Sequence, residues 1–216
     1  MNSRHDLVWL SADGWEVARA TAQAADAGTL AGWQRAGWPL VVTRQAPGAG
    51  LDKISLGLAL PPAADGAKQR IALHAPADGI ARSTPALALN KAIPAAPNGW
   101  KQGLAVLAGA SPGLTLRVYG SLALQAITGQ VYLRSGSDID LLFYPATTTQ
   151  LRSGLALLKQ YAEALPLDGE IVFPGGQAVA WKEWTGAEGN QARVLVKSRD
   201  GVRLAPVQSL LSELRP

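Results

Sequence analysis

The feature that most constrains the fold of this 216-residue chain is a short apolar strand that carries two carboxylates. The segment reads Ser137-Asp138-Ile139-Asp140-Leu141-Leu142. Side chains two residues apart on a strand project from the same face, so Asp138 and Asp140 point one way while Ile139 and Leu141 point into a core. Two adjacent carboxylates repel each other unless a cation lies between them. The pattern therefore predicts a strand with one buried face and one acidic, cation-binding face.

A glycine–serine turn lies ahead of this strand. The stretch 114–119 is predicted to be a strand that leads directly into Gly120 and Ser121, and a short apolar helix is predicted over 122–128. Glycine lets the backbone approach a ligand closely, and the free N–H groups at the start of a helix favour a phosphate. Taken alone, the pair is more simply an ordinary turn in which Ser121 caps the helix.

The residue types favour Mg²⁺ over other metals at this position. Mg²⁺ takes hard oxygen ligands and usually shares them with substrate phosphates. The chain has no cysteine and only two histidines, which excludes thiolate sites and disfavours a histidine-rich zinc site. The simpler alternative for Asp138 and Asp140 is a salt bridge to a nearby arginine such as Arg134.

Helices and strands are mixed along the chain without strict alternation. This order favours an α+β fold with a mixed sheet over a doubly wound parallel one. A stretch rich in Pro and Ala, 75–98, is predicted to be an irregular connector. We therefore expect a smaller N-terminal α+β domain at 1–90 and a catalytic domain at 91–216. The predicted N-terminal elements are strands at 7–10, 40–44, 54–60 and 69–74 and helices at 15–27 and 30–35.

The C-terminal half has the more regular pattern. A hairpin is predicted across Arg199-Asp200-Gly201, which is a favourable turn sequence. The other predicted elements are helices at 99–110, 148–165 and 209–214 and strands at 138–144, 170–173, 178–184, 193–197 and 202–205.

Charge and hydropathy limit the classes of partner. The formal charge is +4 and the pI about 9.6, which fits an anionic substrate or an acidic protein partner, and equally fits plain solubility. The chain has no dense run of Lys and Arg, so we do not expect nucleic acid as a partner. No stretch approaches the roughly 20 apolar residues that span a bilayer, and the first residues do not follow the pattern of a secretory signal. We expect a cytoplasmic protein with no membrane partner.

The combined pattern of strand, Gly120-Ser121, helix and Ser-Asp-x-Asp resembles the polymerase-β-like nucleotidyltransferase superfamily. The resemblance implies that Gly120 and Ser121 hold the triphosphate tail of a donor. It also implies that Asp138 and Asp140 bind Mg²⁺ together with a third acid on a later strand. Glu170 is the preferred third acid because it begins an apolar strand, and Asp168 is the alternative. Capping of the turn at Gly169 is the simpler role for Asp168.

A narrower resemblance covers essentially the whole chain. The sequence resembles the phosphoribosyl-dephospho-CoA transferases of malonate decarboxylase, which are holo-[acyl-carrier-protein] synthases. That family implies 2′-(5″-triphosphoribosyl)-3′-dephospho-CoA as donor, a serine of the apo acyl-carrier subunit as acceptor, and pyrophosphate as leaving group. The N-terminal domain, 1–90, is then a candidate, by its position only, to bind the carrier or the CoA arm. The segments that carry the resemblance are Arg4-His5-Asp6-Leu7-Val8-Trp9-Leu10, Leu56-Gly57-Leu58, Pro61-Pro62, Tyr119-Gly120-Ser121, the carboxylate strand, Asp168-Gly169-Glu170 and Ala178-Val179-Ala180-Trp181-Lys182-Glu183.

Several cationic and aromatic residues are weaker candidates. Arg134 and Lys182 are the preferred phosphate-binding cations, although surface charge is the simpler interpretation of each. Lys197 and Arg199 are further candidates for phosphate or for an acidic carrier. Trp181 and Trp184 are candidates to stack on adenine, and packing is the simpler use of each.

Two other functions stay open on sequence alone. One is another Mg²⁺-dependent nucleotidyltransferase acting on a small molecule, RNA or protein hydroxyl, and the other is a non-catalytic binding module.

Overall fold

A computed structural model of the chain describes residues 2–46, 50, 52–187, 189 and 192–216. It is an α+β structure with two sheets, which confirms the predicted fold class. The chain divides into two compact units, Met1–Ala86 and Leu87–Pro216. The division falls inside the stretch rich in Pro and Ala. Within the described ranges, no helix has the length and apolar character that crossing a membrane would require.

The N-terminal unit is a five-stranded sheet with two α-helices. Its strands lie in the order β4-β3-β2-β1-β5, and each recorded pair is antiparallel. The elements are β1 (Leu7–Leu10), α1 (Ala12–Ala20), α2 (Ala27–Arg35), β2 (Leu40–Val42), β3 (Lys53–Ala59), β4 (Arg70–Pro76) and β5 (Ile80–Thr84).

Alternation along the strands of this unit produces its core. Leu56 of β3 and Leu73 of β4 are paired and buried, and Trp15 of α1 and Trp33 of α2 belong to the same cluster. The Ser11 hydroxyl caps α1 by accepting from the N–H of Gly14 at 3.1 Å.

Two N-terminal predictions were wrong. Helix α1 stops at Ala20, well short of position 27, because Thr21 turns back on it through N–H and hydroxyl donation to the Ala18 carbonyl. Strand β5 lies in the stretch predicted to be irregular. Its middle residues are exposed and carry no alternating pattern. Pairing with β1 makes it a strand, with Leu7 opposite Thr84 and Val8 opposite Ser83.

The C-terminal unit is built on a seven-stranded sheet. Its elements are β6 (Leu87–Ala88), α3 (Leu89–Ala92), α4 (Asn98–Gly109), β7 (Thr115–Val118), α5 (Gly120–Thr128), β8 (Ile139–Tyr144), α6 (Thr148–Tyr161), β9 (Leu167–Val172), β10 (Ala178–Ala180), α7 (Trp181–Gly186), β11 (Arg193–Lys197), β12 (Val202–Pro206) and α8 (Val207–Leu211).

This sheet is mixed, as predicted. Its order is β12-β11-β10-β9-β8-β7-β6. Strands β8 and β9 are parallel and are connected through α6, while the other recorded pairs are antiparallel. Ile139, Leu141 and Phe143 of β8 are buried in the main core on the odd-numbered face, and Leu142 is buried on the even-numbered face. The even-numbered face starts with Asp140.

The C-terminal predictions held for most elements. The β11–β12 hairpin is confirmed, and the Ser198 N–H donates to the Gly201 carbonyl at 2.8 Å across its turn. The strand predicted over 178–184 was wrong beyond Ala180, because the chain turns there into α7. Helix α6 ends at Tyr161, four residues earlier than predicted, and the Thr147 hydroxyl caps its start by accepting from the Gln150 N–H.

Candidate active site at the parallel strand pair

The candidate functional residues lie at one end of the strands of the seven-stranded sheet. Parallel strands run in the same direction, so the starts of β8 and β9 lie side by side, and Asp140 is paired with Asp168. Strand β7 is antiparallel to β8, so its last residues, which lead into Gly120, lie beside the start of β8. The Tyr119 N–H donates to the Asp140 carbonyl at 3.0 Å and holds the turn against β8.

Gly120 is in close contact with the Asp140 side chain. Its φ is +67°, a left-handed conformation that L side chains rarely adopt. A Cβ at this position would overlap Asp140 Oδ2 and lie 3.0 Å from Asp140 Cγ. The glycine therefore leaves the space that the Asp140 carboxylate occupies, and the turn lies against the acidic strand.

Ser121 lies in the first turn of α5, not at its cap. The helix begins at Gly120, and Tyr119 holds the N-cap position. The first N–H groups of a helix have no acceptor within the helix and favour an anion. Ser121 is half-buried beside them. The start of α5 thus presents backbone donors and one hydroxyl beside the Asp140 side chain.

Asp168 and Glu170 of β9 each pair with a lysine. Glu170 is 4% exposed, and its Oε1 lies 2.9 Å from Lys197 Nζ on β11. A buried carboxylate is costly without such a partner. Asp168 Oδ1 lies 3.5 Å from Lys182 Nζ on α7, and both of these side chains are well exposed. Lys182 therefore brings positive charge near the start of β9, and Lys197 brings it to the middle of that strand.

The close approach of β9 to β8 depends on the residue between the two acids. Gly169 has a φ of +130° and is paired with Leu141. A Cβ at Gly169 would overlap the Leu141 carbonyl oxygen and lie 2.6 Å from the Leu141 nitrogen. Only glycine fits this contact, so the register that aligns Asp140 with Asp168 requires it.

The three acids predicted to share metal ions do not form a cluster. Among the described residues, no group of three His, Cys, Asp or Glu side chains is arranged to hold a metal ion. Asp138 precedes β8 and is exposed, Asp140 is half-buried, and Glu170 is buried against Lys197. Asp138, where the strand was predicted to begin, thus lies just before β8, and Asp140 lies two residues later on the strand itself. That donor set fits Mg²⁺, which is commonly held by one or two carboxylates together with substrate phosphates.

Gln125 of α5 fixes the loop that leads to Asp138, and sequence reasoning missed it. Its Oε1 accepts from the N–H groups of Tyr132 and Leu133 at 3.0 and 3.1 Å. Its Nε2 donates to the Ala95 carbonyl at 2.7 Å. A lone amide in the apolar run Leu122-Ala123-Leu124-Gln125-Ala126-Ile127 is the sequence signal that indicates such a role.

Tyr132 anchors the same loop in the core. Its side chain is 3% exposed. Burial raises the pKa of Tyr132 to about 12, and a hydrogen bond with Thr128 acts in the opposite direction. Further along the loop, Ser137 closes a turn on Arg134, with its hydroxyl accepting from the Arg134 N–H at 2.9 Å. The exposed side chain of Arg134 is therefore carried on a turn four residues before Asp138.

The remaining candidates divide between the two units. Trp181 is buried in the main core, and Trp184 packs on Phe173 with ring centroids 5.0 Å apart, so both tryptophans serve packing. In the N-terminal unit, His5 adopts a φ of +70° and lies 3.1 Å from Arg4 through its Nε2.

Comparison with known proteins gives a consistent result over the whole chain. Residues 87–208 match the family model described as phosphoribosyl-dephospho-CoA transferase MdcG C-terminal domain, and residues 3–86 match the corresponding N-terminal domain. A phosphoribosyl-dephospho-CoA transferase of Xanthomonas campestris pv. campestris (strain 8004) is 42% identical, covering 99% of this chain and 98% of that protein. Proteins of the same name from Xanthomonas axonopodis pv. citri and Bradyrhizobium diazoefficiens are 40% and 35% identical over 97% of this chain and 97% and 92% of their own lengths. No solved structure matches the chain.

Proposed function

This chain belongs to the phosphoribosyl-dephospho-CoA transferase family, and from that premise we propose its donor, its acceptor and its site. The donor is 2′-(5″-triphosphoribosyl)-3′-dephospho-CoA. The acceptor is a serine hydroxyl on the apo acyl-carrier subunit of malonate decarboxylase. The product carries the phosphoribosyl-dephospho-CoA group on that serine, and pyrophosphate is released.

The contact between Gly120 and Asp140 is the observation that best supports this assignment. The Asp140 carboxylate, the start of α5 and Asp168 of the parallel strand β9 thereby lie next to one another. A phosphate chain needs backbone donors and cations, while the reacting phosphorus needs charge compensation. This arrangement is the one expected of a nucleotidyltransferase of the polymerase-β-like superfamily, in which we place the C-terminal unit.

The proposed step is an in-line displacement at phosphorus. The serine oxygen forms a bond to the phosphorus attached to the ribose, and the bond from that phosphorus to the pyrophosphate oxygen breaks. The serine proton passes to solvent, and pyrophosphate leaves with the electron pair. The N–H groups at the start of α5 and the Ser121 hydroxyl bind the departing phosphates.

Asp138 and Asp140 would hold Mg²⁺ in this proposal. When bound, the metal would neutralise phosphate charge and polarise the reacting phosphorus. Asp140 is positioned for this role by the turn at Gly120, and Asp138 by the loop that Gln125 fixes. Glu170 was expected to be the third metal ligand, but its ion pair with Lys197 supports a positioning role instead.

Lysines would supply the other positive charges. Lys182 is held near Asp168 at the start of β9, and Lys197 is held by Glu170 in the middle of that strand. Each ammonium is partly exposed, so an anionic donor has access to it. Arg134, on the loop before Asp138, is the third cation assigned to the donor phosphates.

A mass measurement tests the proposed function. Purified chain, verified donor, Mg²⁺ and apo carrier are mixed, and the carrier is expected to gain the mass of the donor minus pyrophosphate. Asp138→Ala should abolish the gain while leaving the circular dichroism spectrum unchanged. A carrier that stays unmodified by the wild-type chain would refute the proposed substrates. Transfer from ATP, CTP, GTP or UTP instead would identify a different nucleotidyltransferase.

A further inference from the structure

The β11–β12 hairpin carries an unusual concentration of exposed apolar side chains. Leu195, Val202 and Leu204 are 38%, 45% and 56% exposed. They are three of the six large hydrophobic side chains recorded as exposed in the described part of the chain, and the other three are scattered over separate elements. Single exposed apolar residues are ordinary, whereas a cluster marks an interaction surface.

These three residues lie on one face of the hairpin. Leu195 is paired with Leu204, and Lys197 with Val202, so all four side chains project from the same side. Arg193 projects there as well because it lies two residues before Leu195 on the same strand. We call this set the hairpin face: Arg193, Leu195, Lys197, Val202 and Leu204. Val194, Val196 and Ala205 are buried on the opposite face.

The hairpin face is on the same side of the sheet as the candidate active site. Lys197 reaches Glu170 from β11, and the pairing of β9 with β8 puts Glu170 on the side of Asp168 and Asp140. Between them, β10 contributes to that side only Ala178 and Ala180, which are small. No large side chain of β10 therefore separates the apolar cluster from the acids.

The hairpin is also strongly basic. Residues 192–206 contain Arg193, Lys197, Arg199 and Arg203 but only one acid, Asp200, so four cations and one carboxylate give a net charge of +3. Glu183 of α7 is the acid next to this strand, and its carboxylate accepts from the Leu195 N–H at 2.6 Å. An apolar centre with a basic surround complements an acidic protein surface that presents an apolar side chain.

The edge of the sheet favours contact through side chains. Strand β12 is the last strand of the sheet, and an exposed edge otherwise invites pairing with another chain. Its residues include Arg203 and Pro206, and charge and proline at an edge discourage strand addition.

We propose that the hairpin face is the docking surface for the protein acceptor, which binds it through an acidic surface with an apolar residue at its centre. This inference rests on the proposed function and adds the place where the acceptor binds. Docking there holds the acceptor beside the Lys197–Glu170 pair, on the side of the sheet from which the serine must reach Asp140. Apart from Lys197, which is assigned to the donor, the hairpin face contributes to acceptor affinity and not to the reaction at phosphorus.

The test compares variants that introduce a negative charge on and off this face. Leu204→Glu and Arg193→Glu lie on it, and Val106→Glu, on the 51% exposed position of α4, is the matched control. Transfer to the apo carrier is followed by mass at saturating donor and Mg²⁺, and donor affinity is measured separately by calorimetry. Thermal unfolding of each variant checks that it folds.

The expected result is a change in acceptor KM alone. Each face variant should raise the KM for the carrier about tenfold or more, as expected for an interface anchor, with kcat and donor affinity within about twofold of wild type. Val106→Glu should match wild type. Added salt should raise the carrier KM of the wild type more than that of Arg193→Glu.

Three outcomes would overturn the inference while leaving the proposed function intact. One is an unchanged carrier KM in both face variants. Another is an equal rise in Val106→Glu. The third is a wild-type dimer in light scattering that Leu204→Glu dissociates without change in carrier KM, because the face would then bind a second copy of the chain. Failure of the wild-type chain to modify any carrier would instead reject the proposed function on which the inference rests.

Discussion

The two sheets of this molecule use the same alternation but differ in one strand direction. Each recorded pair of the five-stranded sheet is antiparallel, so one strand of a pair begins where its neighbour ends. The seven-stranded sheet contains one parallel pair, β8 and β9, and two strands therefore begin together. Asp140 and Asp168 are neighbours for this reason alone. Strand direction, more than composition, decides which sheet can assemble an acidic site.

The sheets also differ in the polar groups that they bury. In the N-terminal unit, Ser55 is buried as a neutral hydroxyl that accepts from the Ala46 N–H and lies 3.3 Å from His74 Nδ1. In the seven-stranded sheet, a carboxylate is buried, that of Glu170, which is paired with Lys197. A buried charge is more sensitive to loss of its partner than a neutral group. The seven-stranded sheet thus has the more fragile interior.

Replacing Asp140 should produce the largest difference between the sheets. Asp140→Asn removes a charge from the proposed phosphate and metal site, and we expect transfer to fall on the order of 10³-fold, the scale of losing a preorganised electrostatic group. Asp78→Asn, at an exposed position of the N-terminal unit, should leave transfer unchanged. Initial rates of carrier modification measure both. Equal rates for the two variants would remove Asp140 from the site.

Two glycines of matched conformation separate backbone strain from contact with the acid. Gly120 and Gly37 have φ values of +67° and +66°, but a Cβ would meet Asp140 only at Gly120. Each Ala variant should lose about 1–2 kcal/mol of stability in urea unfolding because of the left-handed backbone. Only Gly120→Ala should also lose activity, by about 10²-fold, since small displacements of reacting groups are costly. Retained activity in Gly120→Ala would contradict the proposed role of the turn.

The Lys197–Glu170 pair tests the difference in buried polar groups. Lys197→Met leaves the Glu170 carboxylate buried without this cation and should cost about 2–3 kcal/mol, toward the lower end for buried pairs because Lys197 is 35% exposed. Ser55→Ala should cost about 1 kcal/mol. Replacing both members of the pair, Lys197→Met with Glu170→Leu, should recover part of the loss. Urea unfolding that ranks Ser55→Ala as the more damaging change would reverse the comparison.

Alkaline pH should weaken the C-terminal unit selectively. All four tyrosines lie after residue 86. The pKa of Tyr132 rises from 10.0 to about 12 on folding, so the folded state keeps the proton longer. The resulting stability, at most about 2.7 kcal/mol, is fully present below pH 10 and is lost as the pH rises through about 12. Tyr132→Phe should flatten that part of the pH profile in urea unfolding, and an identical slope in both chains would exclude Tyr132 as its source.

The sequence was sufficient to predict the elements with strong local signals. The apolar strand with Asp140, the helix that follows the glycine–serine turn and the hairpin at Arg199-Asp200-Gly201 form as expected, although Asp138 lies just before the strand instead of on it. Each is specified within a few residues by alternation or by turn chemistry. The contact between Gly120 and Asp140 is not among these local signals, and only the family resemblance implied that the turn and the acids act together.

Features that depend on distant partners could not be predicted in the same way. Strand β5 has exposed residues at its centre, and only pairing with β1 makes it a strand. Helix α7 starts in the apolar run Val179-Ala180-Trp181, where a strand and a buried helix have the same short pattern. Glu170 was predicted to be the third metal ligand from its place on an apolar strand, and its contact with Lys197, 27 residues further along the chain, had no signal in the sequence.

Gly169 has a consequence for how relatives of this chain can be recognised. The backbone of β9 touches that of β8 at this residue, so no other amino acid can stand between Asp168 and Glu170 without separating the two strands. A distant sequence that has both acids but a larger residue between them cannot keep this pairing. The tripeptide Asp-Gly-Glu is therefore a stricter search criterion than either acid alone, and its glycine distinguishes sequences that can form the parallel pair from those that only share its charges.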